Sequence, residues 1–126
     1  MLRFDIENRA TYVHATLSGA FTIASAKEVY RAILQAAARA GQARILMDCT
    51  RITGEMTIAD RLAFGAYMAE QQPLVIGALP EGPQVAILAV PPIMDPGRFT
   101  QAVANNRGVR MRASESLQEL LSWLGV

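Results

Sequence analysis

The stretch Ile45-Leu46-Met47-Asp48-Cys49-Thr50 decides the fold class, because it opens with a short continuous apolar run. Strands that are buried on both faces have this pattern, and they occur in parallel sheets covered by helices. A second run of the same kind, Val85-Ala86-Ile87-Leu88-Ala89-Val90, is stopped by Pro91-Pro92. The two runs predict an α/β protein with a mainly parallel sheet.

The first twenty residues indicate a two-stranded hairpin. Apolar and charged side chains alternate over residues 2–7, and alternation resumes over residues 13–17 after a short turn at residues 8–10. This period of two is typical of strands with one buried face, and a connection this short makes the strands antiparallel. We therefore expect the first strand to be the antiparallel member of the sheet.

Four helices are expected from capping signals, in which a short polar side chain accepts a backbone N–H at the start of a helix. The predicted starts are Ser25, Thr57, Asp95 and Ser116. The second helix follows a loop at residues 50–56, and residues 73–94 are interpreted as loop, strand and loop. Residues predicted to face inward on the second and third helices are Ile58, Leu62, Gly65, Ala69, Phe99, Ala102 and Val103.

A glycine inside the second helix, Gly65, predicts a close backbone approach there, because glycine otherwise weakens a helix. The resulting order is β-β-α-β-α-β-α-β-α, and residues 1–126 are expected to form a single domain.

Composition excludes several classes of function. The 126 residues include 12 basic and 11 acidic side chains, one histidine and one cysteine. These counts rule out an intramolecular disulfide and a closed zinc site of Cys and His ligands, and a net charge of +1 gives no footprint for nucleic acid. The charged N-terminus is unlike a signal peptide, which predicts a cytoplasmic protein. Prolines interrupt the most apolar stretch, so no membrane span is expected.

The order of elements, with residues 45–50 followed by a short loop and a Thr-capped helix, resembles the STAS domain of anti-sigma-factor antagonists and of sulfate-transporter tails. A closer likeness is to the small bacterial stand-alone SpoIIAA-like branch. The late segments that carry it are residues 85–90, Phe99 to Ala104, residues 105–109 and a Leu-rich final helix with Trp123-Leu124.

That resemblance implies a non-catalytic regulator that binds a partner protein, such as a kinase or an anti-sigma-like protein. In the antagonists a Ser or Thr at the start of the second helix is phosphorylated, and by position this residue is Thr57. The antagonists carry Asp before it, whereas this chain has Met56. A helix N-terminus favours a phosphate, with Arg61 among the residues that could offset acidic neighbours. The alternative is that Thr57 only caps the helix.

The predicted contact surface lies at the carboxyl ends of the strands, where open α/β sheets bind ligands. Its candidate residues are Asp48, Thr53, Glu55, Met56, Arg61, Pro92 and Met94. Asp48 is a candidate to hold a ligand group or a metal, or else to cap the backbone that follows it. The acidic residues show no metal-loop spacing, and no glycine-rich phosphate motif occurs, so no cofactor or metal is expected.

A second hypothesis is a binder of a small apolar or lipid-like ligand. Flexible methionines suit adaptable apolar surfaces, and Met56, Met94, Ile52 and residues 91–93 fall at one end of the predicted sheet. The alternative is that the methionines fill gaps in the core. Apolar surface also makes a homodimer plausible.

A third reading, an enzyme that uses Asp48 or Cys49, is disfavoured. Cys49 and His14 are the only cysteine and histidine of the chain and fall on different predicted strands, whereas nucleophilic catalysis needs them in hydrogen-bonding reach. We therefore expect no enzymatic activity.

Overall fold

Strands and helices alternate along the chain in the predicted order. The computed structural model describes all 126 residues. Its elements are β1 (Leu2–Asn8), β2 (Val13–Ala20), α1 (Ile23–Arg39), β3 (Arg44–Thr53), α2 (Ile58–Val75), β4 (Gln84–Leu88), α3 (Phe99–Asn106), β5 (Arg110–Ser114) and α4 (Leu117–Leu124).

The five strands form one sheet in the order β1-β2-β3-β4-β5. β1 is antiparallel to β2, and every other neighbouring pair is parallel. The predicted α/β class and the antiparallel first strand are both confirmed. The two apolar runs become the neighbouring strands β3 and β4, which are covered on both faces, as their lack of alternation indicated.

The two faces of the sheet are covered unequally. The main core lies between one face and α1, α2 and α3, and it contains 26 buried residues. On the other face, α4 packs Leu120 and Leu124 against Leu46 and Ala86. The cap predicted for α4 is present, since the Ser116 side chain accepts the backbone N–H of Glu119. No helix is both long enough and apolar enough to cross a membrane.

Two predicted boundaries near α1 and β3 are wrong. The N-cap of α1 is Thr22, which accepts the N–H of Ser25, so Ser25 lies inside the first turn. Two hydroxyl residues one turn apart are equally good caps by sequence. The loop predicted from Thr50 is shorter, because β3 continues to Thr53 alongside the end of β2.

The second helix starts as predicted but buries a different face. Thr57 is its N-cap, whereas Ile58 and Leu62, predicted to face inward, are exposed. The buried stripe contains Arg61, Phe64, Gly65, Met68 and Val75. Because Arg61 interrupts the apolar pattern of this stripe, apolar periodicity does not reveal it. The helix also continues through Pro73 to Val75, where the sequence predicted a loop.

The close approach predicted at Gly65 is confirmed. A Cβ atom on Gly65 would lie 2.7 Å from Cγ1 of Val103 and 3.1 Å from the carbonyl oxygen of Thr100. The absence of a side chain therefore lets α2 pack closely on α3.

The third helix begins later than predicted. Its N-cap is Arg98 rather than Asp95, and residues 91–98 form a turn-rich connection that includes a cis peptide bond between Pro91 and Pro92. Phe99 and Ala102, predicted to face inward, are exposed, while the predicted burial of Val103 is confirmed.

Candidate functional site

An apolar cavity of about 70 Å³ lies at the carboxyl ends of the parallel strands, beside the starts of α2 and α3. Most of its 20 lining residues are hydrophobic. Its lining includes Met47, Met56, Met94 and Met111, together with Ile52 and Ile93. The expectation that methionines fill the core holds for Met68, which is fully buried elsewhere. The other four line the cavity, and three of them, Met47, Met94 and Met111, are also buried in the main core.

A β-bulge in β3 directs side chains toward this cavity. The pairing of β3 with β2 shifts after Asp48, so that Cys49 and Thr50 together oppose one residue of β2. The carboxylate of Asp48 accepts the backbone N–H of Thr50 at 3.0 Å and its hydroxyl at 2.7 Å. The extra residue changes the alternation of side chains, and Ile52 rather than Arg51 lines the cavity.

Asp48 itself faces away from the cavity. Its neighbours in the strand, Met47 and Cys49, both line the cavity, and successive side chains of a strand point to opposite faces. Asp48 caps the following backbone, as one of the alternatives predicted, but it does so within a strand and not in a loop. It therefore lies on the other face of the sheet from Met56, Arg61 and Met94.

The start of α2 is fixed by two reciprocal hydrogen bonds. The backbone N–H of Asp60 donates to Oγ1 of Thr57 at 3.0 Å, and the N–H of Thr57 donates to a carboxylate oxygen of Asp60 at 3.0 Å. Thr57 is exposed and Asp60 is half-buried. The capping role of Thr57 is thus present in the structure, and its hydroxyl lies at the surface.

Arg61, one turn into α2, is buried rather than displayed on the contact surface. Its guanidinium donates to the carbonyl oxygens of Ile93 at 2.7 Å and Pro92 at 2.9 Å, and pairs with the carboxylate of Asp95 at 3.2 Å. Only 7% of the residue is exposed. The role expected for Arg61 beside a phosphate is wrong, because its donors hold the connection between β4 and α3 against α2.

The remaining candidates of the contact surface separate into two groups. Thr53, Glu55 and Pro92 are exposed, whereas Met56 is half-buried and Met94 is buried in the cavity wall. The exposed group lies beside the start of α2 or in the connection that Arg61 holds. The structure therefore brings an exposed rim and an apolar cavity together, with Arg61 between them.

Cys49 and His14 do not form a catalytic pair. Cys49 lines the cavity, while His14 lies on the opposite face beside Tyr12, in register with Leu46. Burial raises the pKa of the Cys49 thiol to about 12, and the neighbouring carboxylate of Asp48 adds to the effect. A protonated, buried thiol is a poor nucleophile at neutral pH.

Sequence reasoning missed two sets of residues at this end of the molecule. The first is a pair of apolar side chains one turn apart on α2, Ile58 and Leu62, which are 76% and 46% exposed. The second is a polar group in the cavity wall on and beside α3, namely Arg98, Thr100 and Gln101. The apolar pair was visible but assigned to the wrong face, whereas the polar group carried no motif.

Comparison with known proteins gives matches in structure only. No protein-family model matches the chain. The search of curated proteins also finds no match.

Two solved structures are similar over nearly the whole chain. An anti-sigma factor antagonist from Mycobacterium paratuberculosis matches 100% of this chain and 96% of its own, with a TM-score of 0.57 and 8% identity. An uncharacterised protein of the DUF3478 family with a SpoIIAA-like fold, from Shewanella loihica, matches 98% of this chain and 93% of its own, with a TM-score of 0.52 and 22% identity. At these identities the likeness is one of fold, and the resemblance expected from the order of elements is confirmed at that level. The chain therefore has a SpoIIAA-like fold.

Proposed function

We propose that this protein is a non-catalytic regulatory module that binds another protein through the start of α2. The observation that carries the proposal is the exposed pair Ile58 and Leu62, which lie one turn apart beside the Thr57 cap. Charged Glu55 and Asp60 lie next to them in the chain. An apolar centre with a polar rim is the usual composition of a protein-binding patch.

The class of partner is proposed from the fold. A protein of similar structure is described as an anti-sigma factor antagonist, a name that denotes a protein that counteracts an anti-sigma factor. We assign to this chain a partner of the same kind, a kinase or an anti-sigma-like regulator. A second copy of the chain is the competing occupant of the patch.

Phosphorylation of Thr57 is the proposed switch. The hydroxyl is exposed, but it accepts the N–H of Asp60, whose carboxylate in turn accepts the N–H of Thr57. A phosphate there would carry about −1.5 to −2 charges and would lie against the carboxylate of Asp60. Since Arg61 is already paired with Asp95, it does not neutralise this repulsion. We expect phosphorylation to loosen the first turn of α2 and to weaken partner binding.

Affinity capture with three forms of the protein tests the proposed surface. The wild type is compared with Ile58→Lys and with Leu74→Lys, a control on the same helix that is 66% exposed in the wild type. A partner that uses this surface is retained by the wild type and the control and lost by Ile58→Lys. Equal recovery from all three forms would contradict the proposal.

Two further measurements complete this test. Sedimentation of the wild type and of Ile58→Lys distinguishes a second copy of the chain from a different partner. Mass spectrometry of protein isolated from its native host shows whether Thr57 carries a phosphate. Unmodified Thr57 under all growth conditions, together with unchanged partner binding by Thr57→Glu, contradicts the switch.

Binding of a small apolar ligand is the second candidate function, and the cavity of about 70 Å³ favours it. Its wall contains flexible methionines, which adapt to the shape of a ligand. Native mass spectrometry of the purified protein tests this function, because a bound ligand adds a discrete mass. Absence of any added mass, and of any binding of small apolar compounds in titrations, would overturn it.

A further inference from the structure

The cavity has three polar side chains in its wall with donors that are free. The guanidinium of Arg98 forms no hydrogen bond or ion pair, and the hydroxyl oxygen of Thr100 is buried without a partner. The side-chain carbonyl of Gln101 accepts the N–H of Ala113 at 2.7 Å, which leaves its amide NH₂ group free. Arg98 is exposed and Gln101 is half-buried, so water can reach their donors. A buried hydroxyl normally has a partner, so the Thr100 hydroxyl indicates a ligand with an acceptor atom.

The charges at the same place favour an anion. The two other charged residues of the wall, Arg61 and Asp95, neutralise each other at 3.2 Å. Arg98 is left as the uncompensated charge. It lies at the N-terminus of α3, whose partial positive charge acts in the same direction.

The rest of the wall fits a short apolar chain. A volume of about 70 Å³ corresponds to roughly two or three groups of the size of a water molecule in the liquid. The methionines of the wall can move to admit somewhat more. A long lipid chain therefore does not fit without a large rearrangement.

We propose that the cavity binds a short-chain carboxylic acid, with its apolar chain among the methionines and its carboxylate at Arg98, Thr100 and Gln101. This inference rests on the second proposed function, ligand binding, and names its ligand class. A carboxylate accepts two or more donors at once, which suits a guanidinium, a hydroxyl and an amide in one wall.

Titration calorimetry with propanoate and with 1-propanol, which have the size that the cavity admits, separates the ligand class from ligand binding itself. The two probes share an apolar chain and differ in the charged group. We expect wild-type protein to bind propanoate about tenfold more tightly than 1-propanol at low salt, as charge-assisted hydrogen bonds give. Arg98→Gln removes that preference and leaves propanol binding unchanged. Arg107→Gln, at the other end of α3 and outside the cavity, retains it.

A variant that fills the cavity gives a second test of ligand binding. Ala89→Leu places extra carbon atoms in the cavity wall and is expected to abolish binding of both probes. Should this variant fail to fold, protection of the wild-type protein gives the same information. Cys49 is the only cysteine and lines the cavity, so bound propanoate slows its modification by the small neutral reagent methyl methanethiosulfonate.

The outcomes are distinct. Equal affinity for propanoate and 1-propanol in the wild type overturns the carboxylate as the ligand group and leaves ligand binding intact. Preference for propanoate that survives in Arg98→Gln overturns the assignment of Arg98. Binding of neither probe, with no protection of Cys49, overturns both this inference and the function on which it rests.

Discussion

The two helices beside the cavity begin in opposite ways. α2 begins at Thr57 with a complete capping box closed by Asp60, three residues on. α3 begins at Arg98, which is left-handed with φ 48° and gives no side-chain cap. Its first N–H is satisfied by Asp95, which Arg61 of α2 holds in place. One helix start is set by its own sequence, and the other by a contact from a distant element.

The largest effect is expected from removing that distant contact. Arg61→Met keeps most of the apolar stem but leaves two carbonyl oxygens without their donor and the Asp95 carboxylate without its cation. Breaking a buried ion pair from one side costs about 3 kcal/mol or more. Urea denaturation should show this loss, and hydrogen exchange should increase over residues 91–99 while the first turn of α2 stays protected.

The matched control is Arg31→Met on α1, where the arginine is exposed. Surface changes of this kind stay within about 0.5 kcal/mol. If both variants lose the same stability, Arg61 does not fix the start of α3, and the contrast between the two helix starts disappears.

The second-largest loss of stability is expected at the contact between α2 and α3. Gly65→Ala places a Cβ atom 2.7 Å from Cγ1 of Val103. Overpacking costs about 1–3 kcal/mol, offset by up to about 1 kcal/mol of helix propensity, so we expect a net loss of about 1.5 kcal/mol in the free energy of unfolding. Adding Val103→Ala should couple favourably with it in a double-mutant cycle. Gly77→Ala, where nothing lies within 4 Å, should cost nothing.

These contacts show which parts of the structure were predictable. The order of elements along the chain, the antiparallel first strand and the start of α2 follow from local patterns, namely two apolar runs, one alternating hairpin and the Thr57 cap. The buried stripe of α2 could not be predicted from local patterns, because Arg61 belongs to it and Ile58 does not. The start of α3 could not be predicted either, since Asp95 and Pro96 form a good local signal that the tertiary bond from Arg61 overrides.

The residues of the candidate site also divide into those that local patterns predicted and those that they did not. Sequence reasoning placed Met56, Met94 and Ile52 at one end of the sheet, and these residues do line one cavity. It also placed Asp48 there, but side-chain alternation in β3 points Asp48 to the other face. A bulge and a buried ion pair depend on pairing between distant segments, which no local pattern encodes.

The floor of the cavity between the two helices gives a prediction about pH. The ordinary pKa of a thiol is close to 9, and burial raises that of Cys49 to about 12. Above pH 9 the unfolded chain loses this proton and the folded chain keeps it, so stability falls as pH rises toward 12. Relative to Cys49→Ala, the wild type should lose about 1.4 kcal/mol between pH 7 and pH 10.

Other groups that titrate in this range, including the buried Tyr30, are common to both proteins and cancel in the difference. Denaturation at a series of pH values provides the measurement. A difference that stays flat up to pH 11 would mean that the thiol is hydrated, and hence that the cavity admits water freely.

We expect the Thr57 cap of α2 to contribute less to the stability of the protein than the contact between Arg61 and Asp95. Thr57→Ala removes the acceptor for the N–H of Asp60 and should cost about 1 kcal/mol, while Thr57→Ser keeps it and should cost little. Thermal denaturation of the two variants measures the difference. Equal stability of both variants would show that the cap contributes nothing, and would leave the exposed hydroxyl with a role in binding alone.

The smallest expected change in stability is a gain, at Arg98. Arg98 has a left-handed backbone, which glycine adopts without strain. Arg98→Gly should therefore stabilise the protein by about 0.5 kcal/mol, whereas Arg98→Ala removes the same side chain, keeps the strain and should give no gain. Both variants lose the free guanidinium at the cavity, so both should lose the preference for propanoate over 1-propanol. A gain in stability with a loss of ligand preference, seen only in Arg98→Gly, would separate the two properties of this residue. The left-handed start of α3 would then be a strained conformation kept for the charge that it carries to the cavity, while the capped start of α2 carries no such strain.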